Sequence, residues 1–221
     1  MTEARGEVAD GAAEAPRRGR PPSTNARAVE LIALELFAEH GFEETTVEQI
    51  AERAGVSGRT FFRYFESKAS VLWHQFDREV DALRAAFAEV DDDVPLMDAI
   101  REVVVSVNHY RPDDVAELRA RMHLIGSVPA LQASAAPHYE DWEQAVSEFA
   151  GRRLGERADA LVPLTVGRTT LAACRSAFDR WVAVGDADLT TYLDASLRAV
   201  AAGFAGPDGT GPRQRRRPGR A

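Results

Sequence analysis

A single cysteine, Cys174, leaves no partner for an internal disulfide and fits a reducing cytoplasm. Lysine is as scarce: Lys68 is the only one, so every other fixed side-chain cation is arginine. No apolar run approaches the ~20 residues of a membrane span, and the charged opening MTEARGEVAD lacks the apolar stretch of a secretory signal. A soluble cytoplasmic protein with no membrane partner is therefore expected. No internal repeat or alternating strand pattern stands out. His109, His123 and His138 are scattered, without the cysteine or carboxylate spacing of a zinc site, and no nucleophile is paired with a base, so no metal, cofactor or catalytic residue is expected. Positive charge is also in deficit, at a net −8, which argues against nucleic-acid binding unless cations are concentrated locally.

They are concentrated in three places: Arg17, Arg18 and Arg20 near the N-terminus, Arg59, Arg63 and Lys68 in the first third, and the run from Arg213 to Arg220. The middle cluster lies in TTVEQIAERAGVSGRTFFRYFESK, from Thr45 to Lys68, which reads as two short helices joined by a tight turn. Thr45 with Glu48, or Thr46 with Gln49, forms a capping box. Ala51 is small where two helices must cross, Gly55 supplies the positive φ that ends the first helix, and Ser57 can cap the second. Phe61 and Phe65 would point inward, leaving Gly58, Arg59, Thr60, Arg63 and Tyr64 outside. A helix laid in a major groove needs a small residue near its start, Arg and Thr for base edges, and hydroxyl and cationic groups for phosphates. The bland alternative is an ordinary helical hairpin in a core. The expected DNA-contacting set is Arg18, Arg20, Thr46, Ser57, Gly58, Arg59, Thr60, Arg63, Tyr64 and Lys68.

The rest of the chain reads as helices throughout. A first helix starts at Ser23 or Thr24 and stops at Gly41, with Val29, Ile32, Ala33, Leu36 and Phe37 inward and Glu30, Glu35 and Glu39 outward. A long fourth helix, Lys68 to Val90, carries the stripe Leu72, Phe76, Val80, Leu83 and Phe87 along a rod of ~33 Å. Prolines at 95, 112, 129 and 137 open further helices, and Gly155 closes one of them. Asp159 can cap a helix to about Val184, and a last helix holds Leu189, Leu193, Leu197, Val200 and Phe204. These last two carry surplus apolar and Ala surface, expected if two copies meet through them, although the surplus could also pack within one subunit. Residues 1–22 and 206–221 lack periodic apolar residues and are expected to be disordered.

The residues from about Arg20 to Leu72 resemble the DNA-binding domain of TetR (tetracycline-repressor-like) regulators. The likeness rests on Leu36-Phe37-x-x-x-Gly41-Phe42, then Thr45-Thr46-Val47-x-x-Ile50-Ala51-x-x-Ala54-Gly55-Val56-Ser57, then Thr60-Phe61-Phe62-x-Tyr64-Phe65-x-Ser67-Lys68. Many members have Tyr-x-His-Phe where this chain has Phe62-Arg63-Tyr64-Phe65, so a hydroxyl is missing at 62. The resemblance implies a phosphate contact at Lys68. The C-terminal half, from DDVPLMDAIREVVV through YEDWEQAVSEFAGRRLG, resembles the TetR-type regulators found with mycofactocin biosynthesis clusters, which implies a long-chain acyl-CoA effector.

Together these readings predict an all-α chain: a three-helix DNA-binding domain with a helix-turn-helix over 23–67, then a helical-bundle ligand-binding and dimerisation domain over 68–205. Its partners would be double-stranded operator DNA, a second copy through the last two helices, and a small hydrophobic or acyl-CoA-like effector, with repression as the expected role. Val104, Val107, Met122, Ile125, Trp142, Val146, Phe149 and Phe178, with Cys174 and Trp181, are candidate cavity walls, with Arg119 and Arg121 at the mouth. The same apolar residues could instead simply fill a core. Two alternatives remain open: a DNA-binding regulator without a small-molecule effector, tuned by a partner or by redox at Cys174, and a helical ligand-binding or enzyme domain that retains a relic helix-turn-helix.

Overall fold

A computed structural model describes residues 25–203. Arg18 and Arg20, the predicted helix start at Ser23 or Thr24, Phe204 and both terminal segments lie outside that range. Among the described residues the chain forms ten helices and no strand: α1 Ala26–His40, α2 Val47–Arg53, α3 Gly58–Tyr64, α4 Ser70–Ala88, α5 Leu96–Val107, α6 Pro112–Ser127, α7 Pro129–Ala133, α8 Ala136–Leu154, α9 Leu161–Ala183 and α10 Leu189–Ala201.

Local chemistry sets most of the boundaries. Asn25 caps α1 by accepting from the Ala28 amide at 2.9 Å, and Gly41 at φ +85° ends it. Proline occupies the first turns of α6, α7 and α8, and Gly155 at φ +68° closes α8. Asp159 does not cap α9, contrary to expectation. Its carboxylate is taken by Arg157 in two 2.8 Å hydrogen bonds, and α9 starts two residues on, with Pro163 buried in its first turn. The acidic loop before α5 is pinned by Arg153, which donates to the carbonyls of Asp91, Asp92 and Val94.

Two cores result. The first gathers Val29, Ala33, Phe37, Ile50, Ala51, Phe61 and Phe65 with Val71 and Leu72 from the start of α4 and Leu131 from α7. The second gathers Val80, Leu83 and Phe87 of the same α4 with α5, α8, α9 and α10. One helix of 19 residues, ~28 Å at ~1.5 Å per residue, therefore roots in both cores. Much of the apolar surface of α9 and α10 is consumed within the subunit, since Leu171, Cys174, Trp181, Leu193 and Leu197 are buried there. Leu161 stays 80% exposed, and Val162 and Val184 are exposed as well.

Glu30 departs from the outward face predicted for α1. It is 1% exposed, because α6 packs across that face and brings Arg121, 3% exposed, to 2.6 Å from its carboxylate. Burying a carboxylate costs several kcal/mol unless it is paired, and this pairing partner lies in the other half of the chain.

Candidate nucleic-acid interface and ligand cavity

The helix-turn-helix is assembled by short-range hydrogen bonds. Of the two possible capping boxes, Thr46 and Gln49 form it: the Gln49 amide donates to Thr46 Oγ1 at 3.2 Å and the Thr46 amide to Gln49 Oε1 at 2.8 Å. Thr45 is buried instead, its hydroxyl directed at the carbonyls of Leu36 and Gly41. Gly55 takes φ +66°, which turns the chain so that the Val56 amide reaches the Ala51 carbonyl at 2.9 Å. Ser57 Oγ then accepts from the Thr60 amide at 3.1 Å, and the two hydroxyls lie 3.0 Å apart. Phe61 and Phe65 are buried, with ring centroids 5.4 Å apart, and anchor α3 against α1 and α2.

The opposite face of α3 is open. Ser57, Gly58, Arg59, Phe62 and Arg63 are exposed, and Thr60 and Tyr64 are half-buried. Arg63 donates to the Tyr64 hydroxyl at 3.0 Å and lies over its ring at 4.9 Å, which steadies a cation at the helix end. Phe62, 56% exposed, presents an apolar ring on the same open side of the helix. Lys68 does not join them. Its ammonium points back, donating to the carbonyls of Phe42 at 2.5 Å, Glu43 at 3.2 Å and Thr45 at 2.8 Å, over the Phe42 ring at 4.3 Å. Three donors meet three acceptors, so the expected phosphate contact gives way to a clamp on the α1–α2 loop.

Behind this unit lies a cavity of 440 Å³, within the ~300–1,000 Å³ usual for small-molecule sites. Its walls come from α4 to α9. Val104, Val107, Met122, Ile125, Trp142, Cys174 and Phe178 line it as expected from the sequence, and Arg121 lines it too, buried rather than at a mouth. Four candidates do not. Val146 and Phe149 belong to the solid core, where Phe149 stacks on Phe87 at 4.3 Å. Arg119 lies over Trp181 at 4.0 Å and donates to its carbonyl at 2.9 Å, fastening α6 to the end of α9. Trp181, likewise, is a core residue.

The sequence points to Asn108, which lines the cavity, as polar lining of a pocket, but not to the remaining polar residues there: Gln75, Glu79, Gln132, Tyr139, Arg175 and Asp179. Gln75 and Glu79 sit one turn apart on α4, flanking its apolar stripe, and that flank was the one available signal. Glu79 Oε1 accepts from the Tyr110 hydroxyl at 2.6 Å and from Gln75 Nε2 at 2.9 Å. Burial holds its carboxyl above the usual range, with these hydrogen bonds opposing the shift. Burial pushes the Cys174 thiol up to about 12, which makes it a poor redox sensor. No group of three potential metal-ligating side chains occurs among the described residues, and no described helix is long and apolar enough to cross a membrane.

Comparison with known proteins decides the family. The profile described as "Bacterial regulatory proteins, tetR family" matches residues 32–72, and the one described as "MftR C-terminal domain" matches residues 94–205. The mycofactocin biosynthesis transcriptional regulator MftR of Mycobacterium tuberculosis is 34% identical over 188 residues, covering 85% of this chain and 95% of its own. The chain belongs to the TetR family of transcriptional regulators. Solved TetR-family structures share its fold. Thermus thermophilus FadR, a repressor crystallised with lauroyl-CoA, superposes with a TM-score of 0.55 at 22% identity, covering 88% of this chain and all of that one. SmeT of Stenotrophomonas maltophilia, in complex with triclosan, gives 0.58 at 18% identity, covering 89% and 99%. In this TetR-family chain the matched N-terminal region contains the whole α2–turn–α3 unit, and the matched C-terminal region supplies every cavity wall except α4.

Proposed function

We propose that this regulator is a homodimeric repressor released from a palindromic operator by a small, largely apolar effector. The observation that carries the reading is the position of α4, which is rooted in the DNA-binding core at Val71 and Leu72 and walls the cavity at Leu72, Trp73, Gln75, Phe76 and Glu79. A ligand filling the cavity therefore presses on the helix that positions α3. Arg59, Thr60 and Arg63 would reach groove edges, close approach being allowed by Gly58, while Thr46, Ser57 and Tyr64 would meet phosphates. Arg18 and Arg20, just ahead of the described residues, would extend the contact into a minor groove. A dimer would set its two reading helices about one helical turn, ~34–36 Å, apart. Tilting α4 changes that spacing, and the ligand contributes only its differential affinity for the two geometries.

An acyl-CoA is the favoured effector class, supported by the apolar lining and by the lauroyl-CoA of the FadR complex. The test is a gel shift on the DNA upstream of the gene with and without lauroyl-CoA and oleoyl-CoA. Retardation by the protein, reversed by either thioester, is the expected result. A protein that ignores its own promoter region would refute the regulator reading, and retardation unaffected by any apolar ligand would refute the effector.

A further inference from the structure

Four side chains tie the DNA-binding domain to the ligand cavity. Arg27 and Glu30 lie on α1, Glu117 and Arg121 on α6. Arg121 Nη2 sits 2.6 Å from Glu30 and donates to Glu117 at 2.7 Å, while its Nη1 donates to the Leu72 carbonyl of α4 at 3.0 Å. Arg27 donates to both oxygens of Glu117, at 2.8 and 2.5 Å, and lies 3.2 Å from Glu30. Two cations thus balance two anions, and the set carries no net charge. Arg121 is at once part of this clasp and part of the cavity wall, and its buried Nε–H makes no hydrogen bond among the described residues.

The charge balance restricts what can be taken there. A carboxylate or phosphate brought to Arg121 would be an uncompensated buried anion beside a neutral quartet. Glu79, in the same wall, is held toward its uncharged form by burial, and the wall's other cation, Arg175, is exposed and lies over the Tyr139 ring at 4.7 Å, outside the quartet. A carbonyl oxygen needs only the one free donor and brings no charge.

We propose that Arg121 anchors the carbonyl oxygen of a neutral ligand with an apolar body, an ester or thioester rather than a free carboxylate, and that this hold draws its guanidinium off Glu30 and loosens α1 from α6. This rests on the effector reading above and specifies which chemical group the cavity recognises and how its occupancy reaches the DNA-binding domain.

Methyl laurate and laurate share one acyl chain and differ in that group, so they test it on the full-length protein. Binding can be followed through the fluorescence of Trp73 and Trp142, which line the cavity. At pH 7 methyl laurate binds wild type about tenfold or more tightly than laurate and releases promoter DNA; equal or tighter binding of laurate overturns the proposal, with no variant needed. Arg121→Lys retains a cation beside Glu30 and Glu117 but loses the guanidinium fork, so methyl laurate affinity falls by about tenfold, the loss of one charge-assisted hydrogen bond. A purely structural Arg121 would lower the melting temperature and leave that affinity alone. Glu30→Gln binds methyl laurate at least as tightly as wild type, because the ligand no longer works against the Glu30 contact, and, with α1 already loosened from α6, it holds promoter DNA several-fold more weakly than wild type before any ligand is added; ligand-free DNA affinity equal to wild type overturns the coupling. If lauroyl-CoA releases DNA while methyl laurate fails to bind, this inference falls and the effector reading stands. If no apolar ligand releases DNA, both fall.

Discussion

Lys68 shows how a residue's identity can suggest one role and its surroundings assign another. Chemically a lone lysine after the reading helix suits a phosphate, but a flexible ammonium goes where acceptors converge, and three loop carbonyls converge within 3.2 Å of it. Lys68→Met should therefore act through stability, lowering it by about 2 kcal/mol in urea unfolding, as expected for charged hydrogen bonds left unmade. Its effect on DNA should be equally diagnostic. A lost phosphate contact would reduce the slope of log affinity against log salt by about 0.9. The slope should instead match wild type, and a drop of that size would restore Lys68 to the DNA interface. Glu30 and Arg119 follow the same logic. Each was placed from its own helix face, and each was claimed by a partner far along the chain: Glu30 by Arg121, Arg119 by Trp181.

At the scale of elements, the parts legible in the sequence were those decided within a few residues. The capping box at Thr46, the turn at Gly55 and the cap at Ser57 all rest on contacts no more than five positions apart, and the structure reproduces them, along with the inward Phe61 and Phe65 that the apolar pattern of the same short helix marks. Helix crossings do not have that property. Arg27 and Glu117 meet from ninety positions apart, and no periodicity announces it. Nor did spacing separate cavity from core: Trp142 lines the cavity and Phe149, two turns on along the same helix, does not. Gly167 is another crossing that local pattern hides. It sits where α9 meets α8, and a Cβ there would lie 2.3 Å from Ser147 Oγ and 2.6 Å from the Glu143 carbonyl oxygen. The hydroxyl can rotate away, but the carbonyl belongs to a helix backbone, so the two helices must separate. Gly167→Ala should cost about 1–3 kcal/mol, the usual range for overpacking, against a helix-propensity gain of up to about 1 kcal/mol. Chemical denaturation would measure the net, and a variant more stable than wild type would mean that α8 and α9 are free to move apart.

At the scale of the whole molecule, the proposed function depends on two reading helices being held together, and the solvent face of α9 and α10 is where the proposed dimer would hold them. Within the subunit these helices pack through Leu171, Trp181, Leu193 and Leu197, which leaves small residues such as Ala172 and Ala195 exposed on the other side. Small side chains let helices of two subunits approach closely, and a long charged one in their place would keep them apart. The double variant Ala172→Arg with Ala195→Arg touches no buried residue, so its fold, followed by far-ultraviolet circular dichroism, should be unchanged. Sedimentation should show a monomer where wild type is a dimer. Operator affinity should then fall by about a hundredfold or more, because the second half-site is no longer held at high effective concentration. The salt dependence should drop to about half, since each monomer displaces counterions from one half-site only. Were the double variant still dimeric, the subunits would have to meet elsewhere, with the exposed Leu161 and Val162 at the start of α9 as the next surface to probe.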